Sequence, residues 1–103
     1  MDESDFLDAA EAVFNRIETA IDASGLDIEC NLNESVMELE FDDGTKIIVN
    51  RHTPNRELWI AARSGGFHYA WRDDAWRNTR DGSEFFASLA RLVSDQAGDV
   101  FQF

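Results

Sequence analysis

Residues 27–62 read DIECNLNESVMELEFDDGTKIIVNRHTPNRELWIAA, and their period of two decides the fold. In Asp27–Leu32, Ile28, Cys30 and Leu32 point one way while Asp27, Glu29 and Asn31 point the other. In Val36–Phe41, Met37, Leu39 and Phe41 alternate with Glu38 and Glu40. Asn33-Glu34-Ser35 is a hairpin-sized link, and Asp42-Asp43-Gly44 is a second turn with a glycine available for positive φ. Thr45–Arg51 continues as a third strand, His52-Thr53-Pro54-Asn55 turns the chain, and Glu57–Ala62 makes a fourth. Strands joined by links this short pair antiparallel.

Outward from this stretch, Phe67–Trp71 and a short piece around Trp76 extend the meander, with Ser64-Gly65-Gly66 and Arg72-Asp73-Asp74 as turns. A helix is predicted on each side. From Ser4 to about Ser24, Phe6, Ala10, Val13, Phe14, Ile17, Ala20 and Ile21 fall in one arc, with Ser4 as N-cap and Gly25 as stop. Ser83 is the expected cap of a second helix to about Ala97, with Phe86, Leu89, Ala90 and Val93 inward and Gly98 beyond its end. The tail Asp99–Phe103 reads as irregular. The expectation is one domain over residues 1–103: an α+β two-layer sandwich. Both helices cover one face of an antiparallel sheet of five to six strands.

Charge is distributed unevenly. Residues 1–43 hold 14 Asp or Glu and one base, Arg16, for a net −13, while residues 44–103 hold 7 acids and 8 bases, for +1. A chain at −12 repels nucleic acid and anionic membranes and attracts cations and basic protein surfaces. No apolar run approaches the ~20 residues of a membrane span. The acidic start MDESDF is unlike a secretory leader, and Cys30 is the only cysteine, so a reducing cytoplasmic location is expected.

Nucleophilic and cofactor chemistry find little support. Cys30 belongs to the inward set of its strand, and His52 and His68 stand apart as single outward histidines. Gly65-Gly66 is a turn rather than a phosphate loop, and no CxxC, HExxH or EF-hand spacing is present. The carboxylates are different in kind. Asp8, Glu11, Glu18 and Asp22 occupy an arc of about 80° on the far side of the first helix. A short link brings Asp27 and Glu29 near them. Oxygen donors spread along a ridge suit weak binding of hard cations; the same ridge serves equally as a docking face for a basic partner. On the sheet's outer face, Asn50, His52 and Trp59 are expected to point to solvent, and an exposed Trp there reads as a binding surface.

Lys46-Ile47-Ile48-Val49-Asn50-Arg51-His52-Thr53-Pro54, then Leu58-Trp59-Ile60-Ala61, resembles the central signature of the frataxin family. Ser64-Gly65-Gly66-Phe67-His68-Tyr69, the spaced Trp71 and Trp76, and Asp81-Gly82 before the last helix extend the resemblance over nearly the whole chain. Because the chain starts at the domain, it is most similar to the bacterial branch. This resemblance implies an iron-binding, non-enzymatic protein of iron–sulfur cluster assembly, a regulator of the cysteine desulfurase and scaffold complex and an iron donor. By position, weakly held iron falls to Glu18, Asp22, Asp27 and Glu29, with Asp8 and Glu11 extending the set. Partner contact falls to Glu18 and Asp22 on the ridge and to Asn50, His52, Trp59 and His68 on the sheet. No organic cofactor, nucleic acid or membrane is implied, and a monomer that can oligomerise with iron is expected. His52 stands where glutamine is usual, and Thr19 where many relatives carry an acid. The competing readings are a ferroxidase, which needs a convergent carboxylate–His centre, and a purely electrostatic adaptor for which metal is incidental.

Overall fold

The computed structural model describes residues 1–103. Its element order is α1 (Glu3–Ser24), β1 (Ile28–Asn33), β2 (Val36–Phe41), β3 (Lys46–His52), a 3-10 turn (Thr53–Asn55), β4 (Glu57–Ala62), β5 (Gly65–Arg72), β6 (Ala75–Asn78) and α2 (Phe85–Ala97). The six strands form one antiparallel meander in chain order. β1 and β6 are its edges.

Alternation sets the inner face. Met37, Leu39, Ile47, Val49, Leu58 and Ile60 are buried under the helices, as their period predicts. α1 buries Phe6, Ala10, Val13, Phe14, Ile17 and Ile21 against them, while Ala20 stays half-buried at the margin. α2 differs slightly in phase from its prediction. Its inward set is Phe85, Ser88, Leu89, Leu92, Val93 and Gln96, and Phe86 lies half-buried on the flank. The buried Gln96 is satisfied: its amide donates to Thr45 Oγ1 (3.1 Å) and the Lys46 carbonyl (3.3 Å), and its oxygen accepts from the Arg63 amide (3.4 Å). Those bonds tie the end of α2 to the sheet.

Both helix caps fall elsewhere than predicted. Asp2, in extended conformation, accepts the Asp5 amide at 2.8 Å, so the first helix starts one residue before Ser4. Glu84 accepts the Phe86 and Ala87 amides at 2.7 and 3.0 Å, while Ser83 is held by Asp81 instead. The Asp81 carboxylate takes both the Ser83 hydroxyl and amide, which lowers its pKa. Gly25 ends α1 at φ 70° as expected. Gly65 and Gly66 belong to β5, pairing with Ala62 and Ala61, so the turn is only Arg63-Ser64. Gly65 enters the strand at φ 144°, a conformation that favours glycine. The tail has no regular structure, yet Phe101 is buried, its amide donating to Ser94 Oγ at 2.9 Å.

Candidate metal-binding and docking surface

Asp8, Glu11, Glu18 and Asp22 are all exposed on the side of α1 away from its buried stripe. Cys30 reports how close the last two come to β1. Its half-buried thiol is pushed up to about 11, first by burial and then by the charges of Glu18 and Asp22. The lower end of α1 therefore sets two carboxylates over the edge strand.

Asp27 and Glu29 belong to a second acidic group. Strand alternation turns Glu29 to the outer face, directly opposite Glu40 in the β1–β2 register. Asp27, Glu29, Glu40 and Asp42 line a hollow of about 250 Å³ beside Phe41. An adjoining hollow of about 220 Å³ shares Asp27 and Asp42 and adds Asp99. Like charges opposite one another repel, and one cation relieves them: Lys46 Nζ sits 3.1 Å from Glu38 Oε1. The Glu38 bond and charge, then Glu40, raise the Lys46 pKa. Asp43 in the following turn is engaged by the Thr45 amide and hydroxyl, which lowers its pKa.

Sequence reasoning missed Glu40 and Asp42 as neighbours of Glu29. The signal was present in the predicted hairpin, because a three-residue link places β1 and β2 residues opposite each other. The donor set is entirely carboxylate oxygen, which suits hard cations. Nowhere do three His, Cys, Asp or Glu side chains converge into a group able to hold a metal ion. The carboxylates are strung along α1 and the β1–β2 edge rather than gathered at one point.

The outer face carries a different structure. Asn50, Trp59 and His68 are in cross-strand register, as are His52 and Glu57. The Trp59 indole is sandwiched between two imidazoles: His52 lies 3.9 Å away at 8°, and His68 4.3 Å away at 9°. Trp59 Nε1 donates to Glu57 Oε1 at 2.8 Å, and His68 Nδ1 lies 3.8 Å from the same oxygen. Both faces of the indole are thus covered and its polar edge is used, so Trp59 is only half-exposed. The open Trp anticipated there is found elsewhere, at Trp71, which is 44% exposed. The two histidines, read from sequence as unrelated, form one unit with Trp59.

Comparison with known proteins agrees with this architecture. A model of the frataxin-like domain matches residues 1–99. An iron–sulfur cluster assembly protein CyaY of Neisseria meningitidis serogroup B is 47% identical over 102 residues, covering 99% of this chain and 95% of that protein. The protein of the same name from Herminiimonas arsenicoxydans is 50% identical over 103 residues, covering 95% and 92%. Among solved structures, frataxin from Psychromonas ingrahamii superposes with a TM-score of 0.93 at 32% identity, over 99% of this chain and 97% of that one. Trimeric yeast frataxin complexed with ferrous iron shares the fold, with a TM-score of 0.71 at 22% identity over 96% and 88%.

Proposed function

Because the chain belongs to the frataxin-like family, we propose that it serves iron–sulfur cluster assembly as an iron-binding regulator rather than as an enzyme. Weakly held iron occupies the acids of α1 and β1, and the same surface docks on the cysteine desulfurase and scaffold complex, to which the protein can also donate iron. The observation that carries this reading is the acidic hollow lined by Asp27, Glu29, Glu40 and Asp42, with Glu18 and Asp22 on α1 near enough to β1 for their charges to act on Cys30. A one-sided field of this kind concentrates cations and steers a basic partner. Asp8 and Glu11 extend the surface along α1. Asn50, His52, Trp59 and His68 form the second contact face, offered to the partner as the edge of a rigid stack.

The geometry favours this over a ferroxidase. A turnover centre needs converging ligands, whereas both histidines are taken up by the Trp59 stack and no three metal-ligating side chains converge.

A cation that binds only the folded chain stabilises it by mass action. Ligand at tenfold its Kd contributes about 1.4 kcal/mol, and each kcal/mol raises the midpoint of a domain this size by about 4–8 °C. Added Ca(II), Mn(II) or Fe(II) is therefore expected to raise the thermal midpoint by about 6–11 °C at tenfold Kd. Mn(II) should broaden amide signals first at Glu18, Asp22, Asp27 and Glu29. A midpoint indifferent to all three ions would refute cation binding, and broadening centred elsewhere would refute the residues assigned.

A further inference from the structure

The flank of α1 facing α2 carries a feature the iron-handling surface does not use. Between α1, the β5–β6 hairpin and the start of α2 lies an apolar groove of about 410 Å³, with Ala9 and Ala12 on one wall and Trp71, Trp76 and Phe86 on the other. Arg16 crosses it, its guanidinium 3.9 Å from the Phe86 ring centroid and 5.6 Å from that of Phe103. Beyond Arg16 a second shallow hollow of about 410 Å³ continues along Ala20, Ala23 and Phe103. The small side chains Ala9, Ala12, Ala20 and Ala23 thus border a trough along one helix flank. At 1.5 Å per residue it runs about 21 Å, four turns of a second helix. At ~100° per residue, this flank is centred about 125° around the helix from the acids of the ridge.

Charge identifies the occupant. Asp74 lines the groove, exposed Asp73 precedes it in the turn, and exposed Asp5 lies about one turn before Ala9 and two before Ala12 on the same flank. Glu84 also lines it, its carboxylate capping α2. The only base is Arg16, stacked on Phe86 without an ion pair. An apolar floor with acids at both rims complements a helix with an apolar stripe and flanking Lys or Arg. Alanines at the wall let such a helix approach closely. Trp71, partly exposed over the groove, is the kind of aromatic anchor on which binding energy concentrates. A second copy of this chain fits poorly, since it would bring another −12 to the acidic rims.

We propose that the α1–α2 groove around Trp71 docks a basic amphipathic helix of a partner protein, on a face separate from the carboxylate ridge and the Trp59 stack. This interface would leave the ridge free, so ridge and groove can be occupied together.

The test uses the whole chain and a 14-residue amphipathic peptide of Leu and Lys, followed by NMR at ~0.15 M salt. The expected result is saturable shifts of the Trp71 indole and of the Ala9 and Ala12 amides. Ala12→Arg, a change at an exposed position, should weaken binding at least tenfold by filling and charging the groove. Asp74→Asn should weaken it a few-fold while keeping the turn, since Asn tolerates the left-handed backbone found there (φ 60°). A Ser/Lys peptide of equal charge should bind the flank at least tenfold more weakly than the Leu/Lys one. Shifts confined to Glu18, Asp22 and Glu29, equal binding of the two peptides, or full binding to Ala12→Arg would each overturn the proposal, as would no binding.

Discussion

Cys30 is expected to alkylate about 50-fold more slowly in the folded chain than in urea at pH 9. Only the thiolate reacts, and each unit of pKa above the pH lowers its population tenfold. With the thiol raised from 9.0 to about 11, half is ionised in the unfolded chain at pH 9 and about one molecule in a hundred in the native one. The direction with pH follows. The raised pKa makes the neutral thiol a stabilising feature below pH 9, and that contribution fades as the pH rises from 9 toward 11.

Burial comes first among the causes, then the charges of Glu18 and Asp22. Neutralising both in a Glu18→Gln, Asp22→Asn variant should speed the reaction without restoring the unfolded rate. Ca(II) or Mg(II) on those carboxylates should do the same to the parent, since hard cations neutralise the acids without capturing the sulfur. Cys30 is thereby a built-in reporter of ridge loading. If neither the variant nor the cations change the rate, the two acids do not act on β1 and the ridge loses its structural basis.

Trp76→Ala should be the most damaging of the tryptophan truncations, at about 3–5 kcal/mol. Trp76 is 3% exposed, edge-on to Phe6 at 6.0 Å and 76° and to Trp71 at 5.5 Å and 73°. It joins the start of α1 to the β6 edge, so its loss leaves a cavity where the two layers meet. The expected fall in thermal midpoint is at least about 12 °C. Trp59→Ala, on the outer face, should cost clearly less, because water can fill its place between the imidazoles. Equal midpoints for the two variants would mean that the outer stack carries as much stability as the core.

The layers were legible because the period in Met37-Leu39-Phe41 and in Phe6-Ala10-Val13-Ile17 is a direct record of burial. The helix stops at Gly25 and Gly98 were equally plain, since a left-handed cap favours glycine. Caps were harder to place because several acceptors crowd each helix start. Asp2 and Ser4 compete before α1, Ser83 and Glu84 before α2, and backbone geometry decides between them. The candidate surfaces were only half legible. Acids on one helix share a face by spacing alone, but the Glu29–Glu40 pair exists through strand register. The Trp59 stack depends on register too: β3 brings His52 and β5 brings His68 to opposite faces of one indole. Composition marks each of these residues as ordinary; only the sheet joins them.

The most direct test of the central claim is binding to a bacterial cysteine desulfurase at low and high salt, comparing the parent with Glu18→Lys, Asp22→Lys. A ridge interface predicts binding that weakens steeply with salt and is lost on charge reversal. Binding that survives both changes would contradict the claim and move the interface away from the ridge.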